Sequence, residues 1–313
     1  MKKLVVLAIL VIALVLVSAC SPAAPKATAP SNTGKYYFLA GNNSDPFYVP
    51  GVKGFMDAAK ALGVTAEFVG PQDASMAGQI ATWETLLASP DTKGIFLYAF
   101  DYKAEESLVK QTVAKGIPLV FGAADSPYRT RDAFIGYDNT LLGTIAADYA
   151  MKLCPSCTTF GSIGVEGANV AERRTAFSKR LKDAGKTVYE TLNNDGSADG
   201  RVKSLDAYMV AHPDLGLLWF ADGGAGLMAQ PFKEKQAAGT KTLFLATDMP
   251  EATLQAVKDG VFVGTVAQDT YSEERIGMQM LYDLSKGLKV ADTTFLNALL
   301  LDKSNVDKYI TKK

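Results

Sequence analysis

The 313-residue chain has few cysteines and histidines and no excess of positive charge. It contains three cysteines, too few for a dense disulfide framework, and a single histidine, His212. Its 32 lysines and arginines nearly balance 33 acids, so the net charge of −1 provides no overall attraction for nucleic acid. Hydrophobic residues make up 48% and charged residues 21%. This composition excludes a disordered chain, a collagen and a multi-span membrane protein.

Several motifs of enzyme classes are missing from the sequence. Residues 222–226 are glycine-rich but lack the lysine and the serine or threonine of a phosphate-binding loop. We interpret them as a turn or a close approach of backbone to a ligand. Ser162 lies inside a predicted strand rather than on a nucleophile elbow, and His212 lies in a predicted loop. The sequence therefore predicts no enzyme, no cofactor and no metal site.

An apolar run at the N-terminus predicts an export signal. Lys2 and Lys3 precede residues 4–17, which are all apolar but fewer than the roughly 20 residues of a membrane-spanning helix. We therefore predict a signal peptide over residues 1–19. The following Val17-Ser18-Ala19-Cys20 resembles the lipobox of bacterial lipoproteins and predicts a lipidated Cys20 that anchors the protein to a membrane. An ordinary signal peptide with an incidental cysteine is the alternative.

The rest of the chain divides into a tether and an α/β fold. Residues 20–34 are rich in proline, alanine, serine and threonine without apolar periodicity, which predicts a flexible tether. From residue 35 onward, short apolar strands alternate with amphipathic helices, such as one from about Phe47 to Leu62 that Gly63 ends. This alternation predicts two doubly wound parallel-sheet lobes, with one eight-stranded barrel as the alternative.

Capping residues predict where two further helices begin. Asp73 is expected to cap a helix that runs to about Ala88. Asn169, with Glu172 three residues later, predicts the start of another helix. Residues 188–192 are predicted to form one strand.

Polar and aromatic side chains collect after the predicted strands, where parallel sheets bind ligands. In the first half they are Asp45, Phe47, Tyr48 and Asp125, and in the second half Arg173, Asp222, Asp248 and Gln268. Carboxylates and amides accept hydrogen bonds from hydroxyls, arginine donates them, and aromatic rings stack on sugar faces. The set predicts a polyhydroxylated ligand. Single aspartates after strands can also be helix caps, which is the role we expect for Asp101.

The order of these motifs resembles the ribose- and galactose-type solute-binding proteins of ABC sugar importers over residues 35–313. The resembling segments include Asp45-Pro46-Phe47-Tyr48, Gly136-Tyr137-Asp138-Asn139, Ala171-Glu172-Arg173, Thr247-Asp248 and Ala267-Gln268-Asp269. The resemblance implies two lobes joined by a three-strand hinge, the periplasmic binding protein type I fold, closing on a sugar. It places ligand contacts on Asp45, Phe47, Tyr48, Arg173, Asp222, Asp248 and Gln268, with Asp125 in a loop that usually carries another acid. The hinge falls at residues 137–139, residues 268–270 and near Leu296.

Four positions depart from the ribose-binding pattern and favour another sugar, a polyol or a sugar-like signal. Ala123 and Ala124 replace an aspartate and an arginine, Asp45 replaces an asparagine, and Tyr98 replaces a small or polar residue of the binding pocket. The alternatives are a nucleoside- or autoinducer-binding lipoprotein of the same fold and an exported hydrolase with paired acids. The resemblance further implies a monomer whose partners are an ABC permease and its ATPase, with a chemoreceptor as another candidate.

The lobes and the cysteine pair complete the predictions. The first lobe is expected to comprise residues 35–137 and 270–296, and the second residues 138–269 and 297–313. Cys154 and Cys157 could form a local disulfide, remain free thiols or act in redox chemistry. We favour the disulfide because the chain is predicted to be exported.

Overall fold

The structure, a computed structural model, describes residues 34–99, 101–125 and 130–310. The predicted signal peptide, Cys20 and the tether up to residue 33 lie outside the described residues. Among the helices of the described part of the chain, none combines the length and the apolar character needed to cross a membrane.

Strands and helices alternate along the described chain, as the sequence predicts. The strands are Lys35–Leu39 (β1), Thr65–Val69 (β2), Thr92–Leu97 (β3), Leu119–Phe121 (β4), Ala133–Gly136 (β5), Thr159–Val165 (β6), Thr187–Val188 (β7), Leu192–Asn194 (β8), Leu217–Phe220 (β9), Leu243–Thr247 (β10), Gly264–Ala267 (β11), Thr293–Phe295 (β12) and Leu299–Leu301 (β13). The α-helices are Tyr48–Leu62 (α1), Met76–Ala88 (α2), Tyr102–Ala114 (α3), Asn139–Leu153 (α4), Ala168–Asp183 (α5), Ala198–Ala211 (α6), Ala229–Ala237 (α7), Glu251–Lys258 (α8) and Thr270–Ser285 (α9). Two 3₁₀ helices span Gly223–Met228 and Val306–Lys308.

The strands form two sheets rather than one closed barrel. The first sheet has the order β12-β5-β4-β3-β1-β2, and all of its pairings are parallel. The second has the order β13-β11-β10-β9-β6-β7, with β8 also paired to β6 and β13 as its antiparallel member. Each order reverses once, between β1 and β3 and between β6 and β9, which is the pattern of a doubly wound sheet. The predicted fold class is confirmed.

Both faces of each sheet are buried, which explains why the strands read as nearly continuous apolar runs. Successive residues of β1 point to opposite faces: Tyr36 and Phe38 pack in one cluster, and Tyr37 and Leu39 in another. In β9, Leu218 belongs to one cluster and Trp219 to the other. Trp219 is fully buried.

The chain passes between the sheets three times. It leaves β5 of the first sheet for α4 and β6, returns from β11 through α9 to β12, and crosses again from β12 to β13. α9 packs against α1, and α4 packs against α5. The second crossing is tied to the first because the amide of Asp269 donates to the Tyr137 hydroxyl oxygen at 2.6 Å.

Three local predictions are wrong. α2 is capped by Ser75, whose Oγ accepts from the Gly78 amide at 3.0 Å, because Asp73 lies too far upstream of the first helical residue. α5 begins at Ala168, so Asn169 lies inside its first turn and is not the cap. The predicted strand over residues 188–192 is two short strands. Their register against β6 shifts by one residue, which breaks the pairing.

Candidate functional site

A cavity of about 760 Å³ lies where the loops after the strands of the two sheets face each other. Most of the predicted site residues line it: Asp45, Phe47, Tyr48, Tyr98, Arg173, Asp222, Asp248 and Gln268. Phe47 of the first sheet's side lies beside Gly223 of the second, where an added Cβ would come within 2.9 Å of the phenylalanine ring. The structure therefore brings residues from both halves of the sequence into one cleft.

The wall contributed by the first sheet is mainly aromatic. Asp45 Oδ1 accepts from the Phe47 amide at 2.9 Å, which fixes the turn that leads into α1. The ring centroids of Phe47 and Tyr48 lie 5.3 Å apart, and those of Tyr48 and Tyr98 lie 5.7 Å apart. Phe38 packs behind them, with its centroid 5.3 Å from that of Tyr98. These rings form a largely preformed apolar surface.

Arg173 is the central cation of the opposite wall. Only 3% of this residue is exposed. Its Nε donates to Asn139 Oδ1 at 2.7 Å, and its Nη2 donates to Gln268 Oε1 at 2.9 Å. Asn139 begins α4 after the first crossing and Gln268 follows β11 before the second. These two hydrogen bonds therefore hold the Arg173 guanidinium against two of the three connections between the sheets. Burial lowers the pKa of Arg173. The negative charges of nearby acids, Asp248 foremost, oppose this shift.

Asp248 is a buried acid of this wall. It follows β10 with a φ of 62°, a left-handed conformation that aspartate tolerates better than most residues. Its Oδ1 accepts from the Gln268 amide at 3.3 Å. Burial raises the pKa of Asp248 to about 7, although Arg173 acts in the opposite direction. Its charge can therefore change near neutral pH.

Asp222 is held by its own lobe. Its Oδ2 accepts from the Val165 amide at 2.8 Å, and its Oδ1 accepts from the Gly224 amide at 2.8 Å. Oδ1 also lies 3.2 Å from Nη2 of Arg201. Asp222 thus lines the cavity and caps the 3₁₀ helix at the same time, which combines the two roles that the sequence leaves open.

Arg201, Asp195 and Ser197 also line the cleft and were not predicted as site residues. Arg201 is buried, and its Nε has no hydrogen-bond partner among the described residues. Asp195 and Ser197 follow β8, the short strand hidden in the wrong prediction for residues 188–192. Applied to a strand that ends at Asn194, the strand-end rule finds this loop.

Asp125, which the sequence predicts as a ligand residue, does not line the main cleft. Its carboxylate pairs with Arg131, with Oδ1 2.8 Å from Nε and Oδ2 2.6 Å from Nη2. Nη1 of Arg131 lies 2.8 Å from Oδ1 of Asp292, just before β12. The Asp125 carboxylate therefore ties its loop to a hinge strand and borders a separate cavity of about 270 Å³.

Tyr98 lines the cleft, but its hydroxyl is bound away from it. The oxygen lies 2.9 Å from Glu273 Oε1 and 2.7 Å from Glu274 Oε1, both on α9. The two glutamates are fully buried and were not predicted as part of the site. They share a buried helix face with Thr270, Gly277 and Met278 at helical spacing, a pattern that could have marked them as inward-facing acids.

The predicted cysteine pair and the single histidine lie outside the cleft lining. Cys154 and Cys157 are joined by a disulfide, with their Cα atoms 5.3 Å apart. His212 ends α6, and its ring stacks on Tyr189 with centroids 4.0 Å apart.

Comparison with known proteins identifies the family. Residues 36–289 match the periplasmic binding protein domain family. The chain belongs to this family. The membership and the type I fold that the sequence resemblance implies are both confirmed. The chain is 26% identical over 275 residues to the D-allose-binding periplasmic protein of Escherichia coli K12. The aligned region covers 79% of this chain and 83% of that protein.

Solved structures show the same fold for this binding protein. An ABC transporter solute-binding protein from Burkholderia graminis in complex with D-arabinose has a TM-score of 0.82, 23% identity and coverage of 89% of this chain and 98% of that one. A solute-binding protein from Agrobacterium vitis bound with α-D-tagatopyranose has a TM-score of 0.80 and 22% identity. It covers 90% of this chain and 100% of that one.

Proposed function

We propose that this protein is the solute-binding component of an ABC importer and that it binds a sugar or sugar-like polyol between its two lobes. The observation that carries the proposal is the single cleft in which an aromatic wall faces Arg173, Asp248 and Gln268. The sugars named for the Escherichia coli, Burkholderia and Agrobacterium proteins support this ligand class.

The two walls divide the recognition of such a ligand. Phe47 and Tyr48 pack on the apolar C–H faces of the sugar ring. Arg173 donates to hydroxyl or ring oxygens, while Asp45 and Asp248 accept from hydroxyls. A volume of about 760 Å³ falls within the roughly 300–1,000 Å³ typical of small-ligand clefts. In this proposal these residues bind the ligand and break no bond in it, so the ligand leaves chemically unchanged.

Hinge closure couples the ligand to transport. Ligand that bridges both walls favours the closed state, since only that state lets both lobes contact it. We assign residues 35–137 and 270–296 to the first lobe and residues 138–269 and 297–313 to the second. The strand pairing and the three crossings support this assignment. The closed monomer then docks on the permease and its ATPase, and a chemoreceptor is a further candidate partner.

The family places the protein outside the cytoplasm, and Cys20 supplies the proposed membrane anchor. Acylation at this cysteine would hold the mature protein at the membrane face, because each buried methylene contributes about 0.8 kcal/mol. In the Cys20→Ser variant, the exported protein should move from the membrane fraction to the soluble fraction. A variant that remains in the membrane fraction would contradict the anchor.

Calorimetric titration tests the ligand class. The protein is titrated with D-allose, D-arabinose, D-tagatose, polyols and nucleosides under one buffer condition. We expect one-to-one binding of a sugar or polyol and no product after prolonged incubation. Tight nucleoside binding with no response to sugars or polyols would overturn the proposal in favour of the nucleoside-binding alternative. Conversion of the sugar would favour the hydrolase.

A further inference from the structure

Glu273 and Glu274 form an unusual pair of adjacent buried acids in the first turns of α9. Both are fully buried, and neither forms an ion pair with a cation among the described residues. Two unpaired carboxylates inside a protein are costly, so at least one of them is expected to be neutral.

The contacts of Tyr98 give a geometric reason for a neutral acid. Its hydroxyl oxygen lies within hydrogen-bond distance of both carboxyls, at 2.9 Å from Glu273 Oε1 and 2.7 Å from Glu274 Oε1. A phenol carries one proton and can donate to only one of them. The second contact becomes a hydrogen bond only if that carboxyl carries a proton and donates it to the tyrosine oxygen.

The surrounding donors distinguish the two glutamates. Glu273 Oε1 also accepts from the Ala123 amide at 2.8 Å, so it receives two hydrogen bonds when ionised. Glu274 Oε1 contacts Tyr98 without a matching amide from another element among the described residues, and the Oε2 atoms of both glutamates are buried without a partner there. Hydrogen bonds to a charged carboxylate stabilise that form, which favours Glu273 as the anion.

Burial and nearby charges act on both glutamates. Burial raises the pKa of Glu273 to about 7, while Ala123, Tyr98 and Arg173 oppose the shift. Burial and the charge of Glu273 raise the pKa of Glu274 well above its ordinary value. The other titratable groups that act on the pair are Tyr48, Tyr137, Asp248 and Asp269.

We propose that Glu274 is a neutral carboxylic acid that donates to Tyr98 and that Tyr98 donates to ionised Glu273. This hydrogen-bond chain positions the wall of the cleft to which Tyr98 and Ala123 belong. Ala123 has a φ of 59°, a left-handed conformation that is strained for a residue with a Cβ. The hydrogen bond from its amide to Glu273 holds that conformation. On the other side, Gly51 of α1 leaves room for Glu274, because an added Cβ there would collide with the carboxyl.

This hydrogen-bond chain adds detail to the proposed function, and the inference rests on the cleft being the ligand site. Because the Tyr98 hydroxyl is already bound, this residue offers the ligand its ring rather than a polar group. The first lobe then recognises mainly the C–H face of the sugar, and hydroxyl recognition falls to Asp45 and to the second lobe.

Infrared spectroscopy of the ligand-free protein tests where the proton lies. At pH 9, where Asp248 and Glu273, with pKa values of about 7, are both ionised, we expect a carbonyl-stretch band of a buried, protonated carboxylic acid in the unmodified protein and in Glu273→Gln. The band should be lost in Glu274→Gln, whose neutral amide preserves the shape of the acid. A band that is absent from the unmodified protein, or that survives Glu274→Gln and disappears in Glu273→Gln, would overturn the proposal.

Hydrogen exchange at the Ala123 amide, followed by NMR, tests the positioning role. Glu273→Leu should increase this exchange rate at least fivefold, whereas Glu273→Gln, which keeps an acceptor oxygen, should restore slow exchange. Unchanged exchange in Glu273→Leu would refute the positioning role. If that variant does not fold, the infrared comparison of the two glutamine variants still decides the proposal. Neither measurement needs a sugar, so failure of the proposed function would be seen separately in the titrations.

Discussion

The two walls of the cleft differ in what their buried polar groups contact. On the first lobe's side, the Tyr98 hydroxyl and the Ala123 amide point inward to Glu273, so the surface left for a ligand is mostly aromatic. On the second lobe's side, Asn139 and Gln268 hold the Arg173 guanidinium and the Gln268 amide donates to Asp248, so the groups that line the cavity are charged. A buried group that loses its partner costs more than an apolar contact of the same size. Substitutions in the second wall should therefore weaken binding more than those in the first.

Arg173→Ala is expected to have the largest effect. It removes the charged donor of the second wall, and each hydrogen bond to a charged group contributes about 1.5–3 kcal/mol. The dissociation constant for the best sugar found by titration should rise at least about 100-fold. Arg180→Ala is the matched control, because Arg180 lies on the same helix and pairs at the surface with Asp148. Equal affinities for the two variants would show that the cleft is not the binding site.

Asp248→Asn should weaken sugar binding about tenfold at pH 8, where the unmodified carboxylate is ionised and accepts from hydroxyls, and less at pH 6. Calorimetry at both pH values measures this difference. Asp259→Asn, an exposed substitution on the surface, is the control for both affinity and its pH dependence. A loss of affinity that is the same at pH 6 and pH 8 would argue against titration of Asp248.

The raised pKa of Asp248 also predicts that the free energy of unfolding depends on pH. Because burial raises the pKa of Asp248 from 3.8 to about 7, the folded state favours the protonated form. The free energy of unfolding of the unmodified protein, relative to Asp248→Asn, should be greatest below about pH 4 and fall as the pH rises toward 7. The slope is at most about 1.4 kcal/mol per pH unit. Urea denaturation between pH 4 and pH 8 measures it, and a rising difference would contradict the expected sign.

Phe47→Ala tests the aromatic wall and should have a smaller effect than the second-wall changes. An aromatic contact contributes about 0.5–1.5 kcal/mol beyond the area it buries, so we expect roughly a threefold loss of affinity. Tyr309→Ala removes an exposed ring that does not line the cleft and is the control. If Phe47→Ala weakens binding as strongly as Arg173→Ala, the proposed division between the walls is wrong.

Replacing Cys154 and Cys157 together by serine should have the smallest effect on binding. The disulfide closes a short loop with a sequence separation of 3. Loop-closure entropy then gives about 2 kcal/mol of unfolding free energy, and sugar affinity should not change. Thermal denaturation and calorimetry of the double variant measure both quantities. A loss of affinity would mean that this region is coupled to the cleft.

Much of the site could be predicted because ligand residues of parallel sheets follow strand ends. Arg173, Asp222, Asp248 and Gln268 all come from that rule, and the structure places them in one cavity. The rule failed where a strand was misjudged. The split of residues 188–192 hid the loop that carries Asp195, since a one-residue register shift leaves no mark in the apolar pattern.

Asp125 shows the other limit of the rule. It stands after a strand, as a ligand residue should, yet Arg131 takes both of its oxygens. Which cation an acid meets depends on how loops pack against one another.

The sequence by itself determined the alternation of buried strands and amphipathic helices, and with it the strand ends at which the polar loops gather. These are local properties, because the period of apolar residues is written within each segment. The tertiary structure alone decided that Tyr98 turns its hydroxyl to Glu273 and Glu274, some 175 residues further along the chain. Such partners are chosen by packing between distant elements, where burial makes every unpaired polar group costly.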